Sequence, residues 1–172
     1  MQDWYLTVFE LIDMRSFSNL WYWIALAVLW STSSHWVIGV PYDMVTRARR
    51  HGGEAEADLH DIVRVNVNRI LFISQTAGIW IIAFGSFGLT VLATLGFYYQ
   101  IEFAQAVFLL AMPMGIVSWL SVRTARRIHD ADGADLYRKL HFHRFSVQVL
   151  GMISIFVTAF WGMWQNMAHG AF

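Results

Sequence analysis

The sequence contains no cysteine, and it is also poor in proline and in charged residues. Without cysteine, disulfide bonds, thiolate metal sites and cysteine-ligated iron–sulfur clusters are excluded. Charged residues make up 14% of the chain, whereas soluble domains carry about a quarter. The net charge at pH 7 is zero, so no positive field covers the molecule and no nucleic-acid partner is expected. The scarcity of charge indicates a membrane protein.

In place of charge the chain has long apolar runs, and apolar residues make up 57% of it. Four runs have the length and composition of transmembrane helices, at residues 20–40, 70–97, 102–122 and 145–167. We therefore expect an all-α, polytopic membrane protein whose residues 1–172 form a single four-helix transmembrane domain. Three glycines of the second run are predicted to let neighbouring helices approach closely. They are Gly78, Gly85 and Gly88.

Residues outside these runs also follow helical spacing. Trp4, Val8 and Leu11 form an apolar stripe, which predicts a short N-terminal helix lying in the membrane interface. A loosely ordered tail is the alternative. The two polar connections, residues 43–69 and 123–144, are predicted to carry helical extensions of the spans. The second helix should therefore begin outside the membrane and run for about forty residues, with about half of it in lipid.

The basic residues predict the orientation of the chain. All of the twelve lysine and arginine residues except Arg15 lie in or beside the two polar connections. Cytoplasmic loops carry an excess of such residues. We therefore expect both connections to be cytoplasmic and both the N- and C-termini to be periplasmic, in a bacterial inner membrane.

Eight of these basic residues are predicted to form a rim on the cytoplasmic side. The simplest role for the rim is binding of anionic lipid headgroups of the phospholipid bilayer. The alternative is a docking surface for an acidic soluble partner. The rim consists of Arg47, Arg49, Arg50, Arg123, Arg126, Arg127, Arg138 and Lys139.

Polar side chains concentrate in the half of each predicted span that lies nearest the cytoplasm. This pattern predicts a polar pocket that opens to the cytoplasm. In the alternative, the hydroxyl groups bond back to their own helix and the glutamines link helices. The candidate pocket residues are Ser31, Thr32, His35, Ser74, Gln75, Ser118 and Gln148.

His35 is the only histidine at predicted membrane depth. An ionisable residue at that depth is a functional candidate. Ser31, four residues earlier, leaves room for a flat macrocycle, which makes His35 a candidate cofactor ligand. A hydrogen-bonded packing histidine and a titrating or gating group are the alternatives. No second histidine lies at that depth, so bis-histidine haem is not expected, and the overall expectation is that no cofactor is bound.

The remaining motifs offer little for catalysis or metal binding. The sequence has no phosphate-binding loop, no nucleophile elbow and no pair of carboxylates at membrane depth, so no catalytic residue is expected. His141 and His143 are two residues apart on a predicted helix. They should point in different directions, and no metal site is expected.

A family resemblance is carried by the stretches RSFSNLWYWIALAVLW, SHWVIGVPYDMV, NVNRILFI, EFAQAVFLL, RTARRI and VLGMISIFVTAFWGMWQN. Together they resemble a family of small alphaproteobacterial membrane proteins that are labelled as a component of the SufBCD complex. The resemblance covers nearly the whole chain and implies an inner-membrane location. The label implies a link to iron–sulfur assembly, although this chain has no cysteine to hold a cluster.

Two classes of function follow from these features. The first is a non-enzymatic accessory or assembly subunit that self-associates or belongs to a larger inner-membrane complex. The small-residue positions and the lack of catalytic motifs favour it. The second is a homo-oligomeric ion channel or pore, in which the polar cytoplasmic half forms the vestibule.

Overall fold

Helices and one small hairpin make up the fold. The computed structural model describes residues 17, 20–131, 133 and 135–169. In chain order they form α1 Leu20–His35, β1 Trp36–Val37, β2 Val40–Pro41, α2 Tyr42–His51, α3 Glu54–Ala93, a π-helical segment Thr94–Tyr98, α4 Glu102–Asp130 and α5 Leu136–His169. The predicted all-α class is confirmed, with the two-residue strands as a small addition. The predicted N-terminal interfacial helix lies outside the described residues.

Three helices in the described part of the chain are long and apolar enough to cross a membrane. They are α3 with its π-helical segment, α4 and α5. α3 alone has 40 residues, which agrees with the length predicted for the second helix. Its charged residues end at Arg69. The helix therefore has a polar first part and an apolar second part, with no break between them.

The prediction of one continuous helix over residues 20–40 is wrong. α1 ends at His35 after 16 residues, which rise about 24 Å and fall short of a hydrocarbon core of about 30 Å. β1 then pairs antiparallel with β2, so that Val37 lies opposite Val40. The chain therefore reverses direction where the helix was expected to continue.

The turn and the buried side chains of this hairpin explain why the helix stops. Ile38 and Gly39 have positive φ values of 53° and 74°, the left-handed pair that a two-residue hairpin turn requires. Glycine adopts this conformation easily, whereas a β-branched residue rarely does. Packing holds Ile38 in it, because its side chain is 3% exposed and Val37 and Val40 are buried beside it. This apolar run therefore belongs to a protein core and not to a lipid-facing helix.

We call the part of the fold around this core the helical cap. It consists of the hairpin, α2, residues 54–71 of α3, residues 123–130 of α4 and residues 136–144 of α5. Full burial of one such apolar side chain stabilises a fold by roughly 1.5–3 kcal/mol, so the cap has a core of the kind found in soluble domains. The core side chains are Val37, Ile38, Val40, Val45, Ala48, Leu59, Val63, Val67, Ala125, Ile128, Leu136 and Leu140.

Below the cap, α1 packs against α5. Leu26, Trp30 and Val147 form a second buried cluster. A Cβ added to Gly151 would lie 2.8 Å from the Trp30 ring, so only glycine lets the two helices approach this closely. At the far end, the Phe17 backbone N–H donates to the Glu102 carboxylate at 2.7 Å.

Side chains tie α3 to α4 near both ends of their apolar stretch. At one end the Arg126 guanidinium lies 3.5 Å from the Ser74 hydroxyl oxygen. At the other end Gln105 Nε2 donates to the Gly96 carbonyl oxygen at 2.8 Å. Between these ties, residues 79–87 of α3 are all exposed.

Two glycines lie midway between the ties, one on each helix. Gly85 is about three helical turns from Ser74 of α3, and Gly115 is about three turns from Arg126 of α4, so each lies on the face of its helix that carries this tie. A Cβ added to either glycine would meet nothing within 4 Å. We call this opening the glycine notch.

The close approach of neighbouring helices that was predicted at Gly78, Gly85 and Gly88 does not occur within the chain. A Cβ at Gly78 would reach only a side chain of its own helix, and one at Gly88 would meet nothing within 4 Å. Close approach occurs instead at Gly96, where a Cβ would lie 2.9 Å from the backbone nitrogen of Gln105. The glycines of α3 at mid-helix therefore leave an unused surface.

Candidate functional site

The seven residues predicted to line a polar pocket do not converge. Ser74 is half-buried and lies beside Arg126 of α4. Ser118 Oγ donates to the Met114 carbonyl oxygen of its own helix at 2.9 Å, which is the arrangement expected if the hydroxyl groups bond back to their helices. The other pocket candidates and Ser118 have exposed side chains: Ser31, Thr32, His35, Gln75, Ser118 and Gln148.

His35 is the last residue of α1 and directly precedes the hairpin. Its side chain is exposed, and its ring makes an edge contact with the Trp36 ring at 6.3 Å between centroids. The helix that was predicted to continue past His35 does not do so, because the chain turns there. The structure therefore gives His35 no enclosed site for a macrocycle.

The most complete polar arrangement is a buried junction at the far end from the cap. Gln105 is fully buried, and its Nε2 donates to the Gly96 carbonyl oxygen at 2.8 Å. Its Oε1 accepts from Trp161 Nε1 at 3.0 Å and from Gln165 Nε2 at 2.6 Å. We call these four residues the Gln105 junction. It joins the π-helical segment, α4 and α5, so its role is to hold helices together.

Sequence reasoning did not single out Gln105, although one signal was available. It is the only polar residue between Glu102 and Ser118. A lone amide in an apolar helix needs a partner from a neighbouring helix. Its partners Trp161 and Gln165 lie on α5, far along the chain, and could not be identified from spacing alone.

A buried histidine lies where the cap meets the apolar helices. His143 is 3% exposed, and its Nδ1 lies 3.1 Å from Thr124 Oγ1 of α4. Burial lowers the pKa of His143 to about 4, so the ring is neutral at pH 7. His141 faces elsewhere, with its Nδ1 3.2 Å from the Tyr42 hydroxyl oxygen. The prediction that the two histidines point in different directions is confirmed.

The eight rim residues all belong to the helical cap. Seven of them are exposed arginines, and Lys139 is half-buried. The guanidinium of Arg123 lies 5.2 Å from the Trp119 ring, in a cation–π arrangement. Arg138 pairs with Asp135 at 3.1 Å, but such exposed pairs contribute little to stability. The rim is therefore a solvent-accessible basic surface close to the apolar helices.

The polar side of the cap also has a cavity of about 250 Å³ between α3 and the turn that follows α4. His60, Arg64, Asn68 and His129 are among its lining residues. Within the described residues, no three histidine or acidic side chains lie close enough to hold a metal ion. The cavity is therefore a polar recess without a converging set of ligands.

Comparisons with family models, with curated proteins and with solved structures find no match for this chain. The resemblance to the alphaproteobacterial membrane proteins therefore stays a prediction. Any function has to be argued from the exposed apolar helix, the basic rim and the buried contacts described above.

Proposed function

We propose that the protein is a non-enzymatic, multi-pass protein of the bacterial inner membrane that self-associates and acts as an accessory subunit of a membrane complex. In this proposal the helical cap faces the cytoplasm and both termini face the periplasm. The concentration of lysine and arginine in the cap supports this orientation. The proposal depends on the exposed apolar surface of α3.

Four crossings are part of the proposal, with α1 as the shortest. α1 begins beside Phe17, which contacts Glu102 at the end opposite the cap. It ends at the hairpin, which is part of the cap core. α1 thus reaches from the end opposite the cap to the cap itself, alongside α5, which supports a fourth crossing at a locally thinned bilayer.

The observation that carries the proposal is the exposure of α3 at mid-helix. None of the 18-residue apolar window of this helix is buried within the chain. Six large side chains there are 55–84% exposed: Ile79, Trp80, Ile81, Ile82, Phe84 and Phe87. A helix that is apolar all round lies in a membrane or against another protein.

One face of this helix has the pattern of a helix–helix contact. Ile81, Phe84, Gly85 and Gly88 occupy positions i, i+3, i+4 and i+7 and so lie together. The glycines allow a close backbone crossing, and the larger side chains flank it. The stretch between Arg69 and Glu102 has no charge, so nothing in it selects a partner of opposite charge. A second copy in the same membrane orientation presents the same face, as a two-fold interface requires.

Filling the notch should prevent association without unfolding the chain. Gly85→Leu is expected to weaken association about tenfold or more, which corresponds to about 1.4 kcal/mol, because leucine blocks the close crossing. The fold should be retained, since a Cβ at Gly85 meets nothing within 4 Å. Energy transfer between labelled copies in liposomes, at a series of protein-to-lipid ratios, measures the association.

Thr90→Leu is the matched control, because Thr90 is exposed and lies on a different face of α3. It should associate like the wild type. Wild-type protein that stays monomeric at every ratio would contradict the proposal. A symmetric oligomer that also conducts ions in liposomes would favour the pore in place of the accessory subunit. Purification with other subunits at a fixed ratio would support the accessory role.

A further inference from the structure

An apolar groove runs between α4 and α5 just below the cap. Its volume is about 310 Å³, and Ile116 and Leu120 on α4 and Phe142, Phe145 and Ile153 on α5 are among its walls. Behind it, the two helices are joined by the contact of Thr124 with His143 and by Val117 and Leu150, which pack on the same buried cluster. The groove is therefore an open channel on the surface, and packed side chains of both helices close it on the inner side.

The lining of the groove favours a hydrocarbon occupant. Ser146 is its only hydroxyl residue, and Ser146 Oγ already donates to the Phe142 carbonyl oxygen of its own helix at 2.9 Å. No polar group in the lining therefore requires a ligand. A hydrocarbon chain, which has no polar groups of its own to satisfy, matches this lining.

The end of the groove nearest the cap is basic. Arg123 and Arg127 lie three and seven residues after Leu120, so they continue the face that Ile116 and Leu120 form. Both arginines are exposed, and no described carboxylate pairs with either. Asp135, directly before α5, pairs with Arg138. Two arginines thus follow the apolar groove on the same face of α4.

We infer that this groove binds one acyl chain of an anionic phospholipid, whose phosphate and headgroup lie against Arg123 and Arg127. The guanidinium group forms bidentate contacts with phosphate, and a negative headgroup adds attraction that a zwitterionic one lacks. Trp119, over which Arg123 lies at 5.2 Å, is the type of side chain found at the headgroup level. The site rests on the membrane location of α4 and α5 and is independent of self-association through α3.

The test measures lipid retained by the purified protein in detergent. Phosphatidylglycerol and phosphatidylcholine are added in turn, and bound lipid is counted by native mass spectrometry. The wild type should retain phosphatidylglycerol in preference to phosphatidylcholine. The double variant Arg123→Gln/Arg127→Gln should lose about tenfold in phosphatidylglycerol affinity, because both headgroup contacts are removed. Ser146→Phe should lose binding as well, since the larger side chain fills the channel.

Arg64→Gln/Arg69→Gln is the control, because it makes the same charge change at exposed positions of α3 that are not part of the rim. It should retain phosphatidylglycerol like the wild type. Equal loss in this control and in the Arg123/Arg127 variant would overturn the proposal in favour of a general charge effect. Binding of inorganic phosphate at this end that survives Ser146→Phe would overturn it in favour of a phosphate site. Loss of self-association without loss of lipid in Ser146→Phe would assign the groove to a second copy.

Discussion

Replacing Gln105 with leucine should lower the free energy of unfolding by roughly 2–3 kcal/mol, because three hydrogen bonds are lost at once. Trp161 Nε1 and Gln165 Nε2 donate to Gln105, and the Gly96 carbonyl oxygen accepts from it. Unpartnered buried groups cost about 1–3 kcal/mol each in soluble proteins. Hydrogen bonds between membrane helices average about 0.6 kcal/mol each. Three of them together therefore set the lower end of the range, at about 2 kcal/mol.

The matched control for this prediction is Gln148→Leu, the same substitution at an exposed position of α5. It should change stability by less than about 0.5 kcal/mol, as surface substitutions usually do. Denaturant titration in detergent micelles, followed by circular dichroism, measures both variants. If the two variants unfold at the same denaturant concentration, the junction does not hold the helices together.

Lowering the pH from 6.5 to 4 should destabilise the helical cap through His143. Burial lowers the pKa of this ring from 6.5 to about 4, so the ring stays neutral in the folded cap and takes up a proton on unfolding. Between the two values the unfolded chain binds more protons, and the free energy of unfolding falls as the pH falls. The whole interval corresponds to roughly 3 kcal/mol, at 1.36 kcal/mol per pKa unit. Above pH 6.5 the ring contributes no pH dependence.

Thermal unfolding at a series of pH values, for the wild type and for His143→Gln, measures this effect. Glutamine can still hydrogen-bond to Thr124 but does not titrate. Between pH 6.5 and pH 4 the variant should therefore lose roughly 3 kcal/mol less stability than the wild type. His51→Gln removes an exposed histidine of α2 and should keep the acid dependence of the wild type. An identical acid slope in the wild type and in His143→Gln would exclude His143 as its source.

The long helices could be predicted because their signal is local. The apolar runs and the spacing of Leu59, Ile62 and Val63 predicted a second helix of about forty residues, and α3 has 40. The all-α class and three helices of membrane-spanning length follow from the same signal. The hydropathy of a segment and the helical period of its apolar residues depend only on residues close together in the chain, so one sequence is enough to detect them.

The hairpin could not be predicted because a short apolar run has the same appearance in a core and in lipid. Val37, Ile38 and Val40 resume the apolar run of α1 after the polar residues 31–35. What turns them into strands is the cap core, to which Leu59 and Leu140 contribute from other helices. The partners of Gln105 were hidden for the same reason, since they belong to a different helix.

The cap core joins parts of the chain that leave the ribosome at very different times. Val37 and Leu140 belong to the same core, and between them lie α3 and α4, two helices long enough to enter a membrane. At about 5–20 residues per second, the hairpin waits roughly 5–20 s for α5 to arrive. Until then the core lacks Leu136 and Leu140. A chain that stops before Leu136 therefore keeps an open cap, which proteases and chaperones can distinguish from the finished protein.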